Sequence, residues 1–201
     1  TCDALIRHRF VSDQATAMVT GDTRFDRVAG VAARGQPLRE IESWLNGRPC
    51  IVAGSTWSED EEALVQAYEQ LRKEREQPLC WIIAPHEPTA EHVENLVEQA
   101  GPDHCLWSEL PDTGRDSEVL IVDTLGLLSR LYRYASVAYV GGGFGNGIHN
   151  CLEPAAHGVC VLFGPRHRRF AEASGLLQDG GARELRQPRE LTKQVRQLMN
   201  D

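Results

Sequence analysis

Long apolar runs are missing from this sequence. Nothing in its 201 residues approaches the roughly 18 consecutive apolar positions that a membrane-crossing helix needs. Positive charge is also scarce: Lys+Arg number 21 against Asp+Glu 29, a net charge of -8. That balance argues against a surface that grips nucleic acid through its phosphates. The exception is local, a basic cluster at Arg166, His167, Arg168 and Arg169. Six cysteines (Cys2, Cys50, Cys80, Cys105, Cys151, Cys160) make no CxxC pair and no zinc-ligand spacing, so no metal site and no disulfide framework is expected. A reducing, cytoplasmic compartment is the simpler setting. The start is neither a methionine nor a charged segment followed by an apolar one, as in a signal peptide. Thr1 opens mid-pattern, and the chain reads as a piece of something longer.

What is present from about Pro49 onward is a strand followed by a helix, repeated. Cys50–Gly54 is a short apolar run ended by glycine, and Ser58 then opens a helix to about Arg75, with Glu61 completing a capping box. Cys80–Ala84 is a second strand, stopped by Pro85 and Pro88, and Thr89 caps the helix after it. Cys105–Trp107, Val119–Val122, Val137–Val140 and Val159–Phe163 supply four more strands. Helices are expected around Leu127–Leu131, from near Asn150, over Phe170–Gln178 and over Arg189–Met199. Short, unalternating apolar strands separated by amphipathic helices imply a parallel sheet covered on both faces. The fold class is therefore α/β, a Rossmann-like, doubly wound domain over 46–201. Residues 1–45, with mixed polarity around Gly21, Gly30, Gly35 and Pro37, read as the tail of another domain plus a linker.

In an open parallel sheet, ligands bind beyond the carboxyl ends of the strands. The residues there are Ser55-Thr56, His86-Glu87, Asp123-Thr124, Gly141–Asn150 and Gly164-Pro165. Gly141-Gly142-Gly143-Phe144-Gly145-Asn146-Gly147 holds five glycines in seven residues, which let a backbone approach a ligand closely and adopt positive φ. Gly143 in particular is expected to leave space that a phosphate needs. A helix starting near Asn150 would aim its free N–H groups at the loop and favour an anion. The loop is no nicotinamide fingerprint, because GxGxxG begun at Gly141 ends on Asn146 and begun at Gly143 ends on Ile148. No lysine follows the glycines, which excludes a P-loop. Glu153, one turn beyond Asn150, can accept both vicinal hydroxyls of a ribose or simply complement a helix dipole. Ser55 and Thr56 offer hydroxyls to a phosphate or a sugar carboxylate, or serve as loop and cap. His86 offers a cation or is merely an exposed histidine. Asp123 and Thr124 either reach the cleft or cap the following helix.

Four blocks carry a family likeness: GDTRFDRV (Gly21–Val28), GSTWSEDE (Gly54–Glu61), VDTLGLLSRLYRYASVAYVGGGF (Val122–Phe144) and GIHNCLEPAAHGVCVLFGP (Gly147–Pro165). In order and over nearly the whole chain, they resemble the 3-deoxy-D-manno-octulosonic acid (Kdo) transferases. The resemblance implies the C-terminal half of a two-domain GT-B glycosyltransferase, which moves Kdo from CMP-Kdo onto a lipid A precursor at the cytoplasmic face of the Gram-negative inner membrane. It implies CMP phosphate and Kdo near Gly142, Gly143, His149 and Asn150, with Phe144, Gly145 and Gly147 in the same loop. It sets the cytidine ribose on Glu153, and Ser55 and Asp123-Thr124 at the cleft rim. No cofactor is implied. The acceptor, the catalytic base and any membrane contact are expected in a further N-terminal half. Two positions depart from the family pattern: Trp57 stands where many members carry His, and His86-Glu87-Pro88 where many carry Arg-His-Pro. The alternatives are another GT-B enzyme, such as a UDP-sugar epimerase, and a non-catalytic nucleotide-binding module.

Overall fold

The computed structural model describes residues 22–110 and 116–200. The part of the expected linker before Asp22, together with Cys2, lies outside them. In chain order the elements are α1 (Thr23–Arg34), α2 (Arg39–Leu45), β1 (Cys50–Thr56), α3 (Ser58–Glu74), β2 (Cys80–Pro85) and α4 (Ala90–Ala100). Then come β3 (His104–Leu106), β4 (Val119–Ile121), α5 (Leu128–Leu131), β5 (Val137–Val140), α6 (Leu152–Ala155), β6 (Cys160–Phe163), α7 (Ala171–Gln178), β7 (Ala182–Glu184) and α8 (Leu191–Leu198).

Seven strands form one sheet in the order β3-β4-β2-β1-β5-β6-β7, and every pair is parallel. Successive strand residues face opposite sides, and both sides are covered. Ile51, Ala53, Trp81, Ile83, Val137 and Tyr139 pack beneath α3, α4 and α8. Val52, Cys80, Ile82, Leu120 and Ala138 pack with α2, α5 and the turn that follows α5. The sheet is thus doubly wound, with β1 flanked by β2 on one side and β5 on the other. The chain winds outward from β1 to one edge and returns to build the other, so the β1/β5 junction is the topological switch point.

The buried face also extends into the stretch before residue 46. Leu38, Ile41, Trp44 and Leu45 belong to the same core as the sheet, and Trp44 is 1% exposed. Truncating so large a buried side chain to alanine costs about 3–5 kcal/mol, so α2 is a structural part of this unit.

Three local expectations are corrected. The helix after β1 begins one residue early: Ser58 is its first residue and Trp57 stands at the cap. Asp60, not Glu61, reaches back to accept the Trp57 N–H at 3.0 Å. The helix expected from Asn150 is a single turn, Leu152–Ala155, closed by Gly158 at φ +71. β7 was not expected, because Ala182-Arg183-Glu184 has a single apolar residue and lies at the sheet edge. Among the described residues the five cysteines are free. Burial pushes the thiols of Cys50, Cys80, Cys105 and Cys151 up, away from the reactive thiolate range.

Candidate functional site at the β1/β5 switch point

β1 ends in a distorted segment. Ser55 has φ +53, one of two non-glycine residues among those described in the left-handed region. The β1–β2 register shifts between Gly54 and Thr56 at the same place. A serine held there is a local cost that the surrounding structure must impose. Its effect is to turn Thr56 fully inward, where the hydroxyl donates to Glu61 at 2.7 Å. His92 Nε2 lies 2.7 Å from the other Glu61 oxygen. Of the expected pair, Ser55 faces the cleft end partly exposed, whereas the Thr56 hydroxyl already has a partner.

The glycine loop is framed by protein on most sides. A Cβ at Gly141 would lie 2.3 Å from the Ser55 carbonyl oxygen, and one at Gly143 would lie 2.4 Å from the Gly164 amide nitrogen. The direction in which a side chain at Gly143 would point is therefore filled by the loop after β6. Positive φ is confined to Gly142 (+85) and Gly147 (+126) in this loop. The loop amides are also largely engaged. Gly141 N–H donates to Gly54, Gly145 and Gly147 donate to Gly142, Ile148 donates to Arg166 and His149 donates to Gly141. Gly142 N–H donates to the buried Asp60 carboxylate at 2.8 Å, which also accepts the Tyr139 hydroxyl. Most of the loop's N–H groups thus belong to a hydrogen-bonded frame, and the one-turn α6 adds little dipole because few peptide units align in it.

What the frame presents is a cluster of rings. His149, at the end of the loop, stacks on His86, from the end of β2, with centroids 4.1 Å apart and planes at 25°. Trp57 lies 4.8 Å from His86 and donates its indole N–H to His149 Nε2 at 3.2 Å. That bond assigns the neutral His149 tautomer with the proton on Nδ1, an available donor. Burial, then the neighbouring His86, holds the His149 imidazole below its ordinary range.

On the other flank, Asn150 donates to Glu153 at 3.0 Å, and its carbonyl oxygen accepts the Leu152 N–H at 3.0 Å. Both line a recess of about 240 Å³ whose far wall is α1, through Arg24, Arg27, Val28 and Val31, with Ser129 and His157 completing it. Burial raises the Glu153 carboxyl, partly offset by Asn150 and Arg27. Asp123 is occupied differently: its carboxylate accepts the Ser108 hydroxyl at 2.6 Å and the Ser108 N–H at 3.2 Å. It ties the turns after β3 and β4 together two strands from β1, while Thr124 beside it is exposed. Phe144 packs partly against the core. Ser55, His86, His149, Asn150 and Glu153 therefore gather around the switch point; Asp123 and Thr124 stand apart. Asp60, Glu61, His92 and Tyr139 complete the arrangement and were not anticipated. The signal available for them was a pair of carboxylates in the first turn of the helix directly after β1.

Among the described residues no helix is long and apolar enough to cross a membrane, and no His/Cys/Asp/Glu group forms a metal cluster.

No family model matches the chain. It is 29% identical over 176 residues to a 3-deoxy-D-manno-octulosonic acid transferase of Rickettsia felis, covering 82% of this chain and 36% of that protein. A 3-deoxy-D-manno-octulosonic acid transferase of Aquifex aeolicus is 28% identical over 152 residues, covering 75% and 42%. The chain thus spans well under half the length of these relatives. In fold it matches the C-terminal CMP-Kdo binding domain of WaaA from Acinetobacter baumannii, with a TM-score of 0.71, 19% identity, and coverage of 87% and 90%. The seven-stranded parallel sheet is that of GT-B C-terminal domains.

Proposed function

With Kdo transferases as its homologues over most of its length, we propose that this chain is the donor-binding half of such an enzyme and that its ligand is CMP-Kdo. The observation that carries the reading is the convergence at the switch point. Strained Ser55, the Trp57–His86–His149 rings and the Asn150–Glu153 pair all stand at the carboxyl ends of neighbouring strands. Glu153 accepts the ribose hydroxyls, with Asn150 orienting the carboxylate from its side. His149 offers its Nδ1–H to an oxyanion, and Ser55 offers a hydroxyl from the β1 end. Gly142, Gly143, Gly145 and Gly147 act as the frame that sets these groups, and Asp123 and Thr124 form the outer rim.

Transfer with inversion needs a base for the acceptor hydroxyl and electrostatic stabilisation of the departing nucleotide. This chain supplies the second requirement. The base, the lipid A precursor site and the membrane contact belong to the remaining length of the full enzyme. The chain alone is then expected to bind CMP and to transfer no Kdo.

Isothermal calorimetry of the 201-residue chain with CMP and UMP tests the reading. CMP should bind at least about tenfold more tightly, a difference of roughly 1.4 kcal/mol. Equal or tighter UMP binding would point to a uridine-nucleotide enzyme of the same fold, and no binding of either removes the nucleotide role.

A further inference from the structure

The loop after β6 carries Arg166, Arg168 and Arg169, all exposed. We infer that these three arginines form the oxyanion-binding wall of the proposed donor site, neutralising the phosphate or the sugar carboxylate of an anionic sugar nucleotide. The inference rests on the donor-site reading and adds residues and a chemical role to it.

The need for such a wall follows from the glycine loop. Six of its amides, at Gly141, Gly142, Gly145, Gly147, Ile148 and His149, donate to protein acceptors. Of the amides over Gly141–Asn150, that leaves those of Gly143, Phe144, Asn146 and Asn150 for an anion. The buried Asp60 carboxylate directly behind Gly142 adds negative charge there, against which the loop sets the neutral His149 donor. A doubly anionic ligand therefore requires cations from a neighbouring segment, and the protein as a whole carries a net charge of -8.

The arginine turn has the right build. Arg166 N–H donates to the Gly143 carbonyl at 3.0 Å, and the Arg166 carbonyl accepts the Ile148 N–H at 3.3 Å. The turn is thus sewn to the glycine loop on both sides. Gly143 and Gly164 touch so closely that neither position accommodates a side chain. His167 anchors the turn from beneath: it is 6% exposed, its Nε2 lies 2.6 Å from Glu184, and its ring lies 5.2 Å from Phe163. With His167 turned inward, the three arginines stand around a recess of about 350 Å³ shared with Asn146 and Gly147 of the glycine loop. Among the described residues, none of the three has a carboxylate partner. The nearby Glu172 is taken by Arg24 at 2.8 Å. Guanidinium groups carried on an anchored turn, without carboxylate partners, suit a planar or tetrahedral oxyanion.

The test compares the parent chain with the triple variant Arg166→Gln, Arg168→Gln, Arg169→Gln, using cytidine, CMP, CMP-Kdo and inorganic pyrophosphate as probes. The exposed positions should leave the melting curve unchanged, and single variants serve if the triple one does not fold. Cytidine affinity should be the same in both proteins, whereas CMP-Kdo affinity should fall at least about tenfold in the variant. A fall already seen with CMP assigns the wall to the phosphate; a fall seen only with CMP-Kdo assigns it to the sugar carboxylate. Unchanged affinity for every probe overturns the inference. Pyrophosphate separates the two layers of the proposal. If the parent binds it through these arginines but ignores cytidine and CMP, the oxyanion wall stands and the nucleotide reading fails.

Discussion

Asp60 and Gly142 lie 82 positions apart in sequence, and the buried Asp60 carboxylate accepts the Gly142 N–H at 2.8 Å. The same carboxylate takes the Trp57 N–H and the Tyr139 hydroxyl. One side chain thereby joins the start of α3, the strand β5 and the glycine loop. Since the loop leaves β5 directly, its shape depends on a residue that sits behind it and faces no ligand.

Asp60→Ala should destabilise the protein by about 3 kcal/mol, because it leaves buried donors without an acceptor at roughly 1–3 kcal/mol each. Asp60→Asn should recover only part of that loss, since its amide nitrogen cannot accept. Denaturant unfolding measures both. A change below about 0.5 kcal/mol for the alanine variant would mean that water or another group replaces the carboxylate.

Two glycines of one loop should behave oppositely. A Cβ at Gly143 would lie 2.4 Å from Gly164 backbone, while at Gly145 the nearest atom lies 3.8 Å away. Gly143→Ala should cost about 1–3 kcal/mol through overpacking, lowering the melting temperature by roughly 2–10 °C in a domain of this size. Gly145→Ala should leave it nearly unchanged. Similar melting curves for the two variants would contradict the packing of the loops.

Glu153 tests the ribose assignment. Glu153→Ala should weaken CMP binding by about 1.5–3 kcal/mol for each charge-assisted bond lost. A 2′-deoxy analogue should bind the parent less well than CMP, yet match CMP on the variant. Burial raises this carboxyl in the folded chain, so the folded state holds its proton to higher pH than the unfolded one. Its contribution to stability therefore declines as pH rises through its ordinary 4.5, and levels off above the raised value. Glu153→Gln should remove that slope. A parent indifferent to the 2′-hydroxyl would take the ribose away from Glu153.

His149 has the opposite sign. Its imidazole is held below the usual 6.5, so the unfolded chain takes up the proton first, and stability from this group is lost as pH falls below about that value. An oxyanion beside Nδ1 favours the charged ring and should raise the midpoint. NMR titration of the ring with and without CMP should show the rise, with a proton taken up on binding. No movement of the midpoint on saturation with CMP would place the anion elsewhere.

The sheet was legible because its inner strands are apolar on both faces, as Ile51–Ala53 and Val137–Val140 illustrate. Local pattern suffices there. At β7 it did not, since an edge strand needs only Ala182 buried. The glycine loop was legible as a place but not as a mechanism. Composition reveals five glycines; whether they make room for a ligand or for another loop is decided by Gly164, more than twenty residues on. The ring cluster escaped for a similar reason. Trp57, His86 and His149 come from three separate loops, and only the strand order β2-β1-β5 brings them together. Asp60 looked like an ordinary first-turn carboxylate beside Glu61, and distance along the chain hid its partners.

The helix α1 forms a wall of the Glu153 recess, yet none of its residues is buried, and Phe25 is 51% exposed. An element with so little apolar anchoring opens at low free energy, well before the sheet does. A ligand held against this wall would bind only the closed form, which would link occupancy to the helix's own local folding equilibrium. Amide exchange in α1 should then slow with increasing CMP while exchange in the central strands stays constant. The affinity measured for the nucleotide would include the ordering of this helix, and a variant that strengthens α1 should raise it without touching a ligand contact.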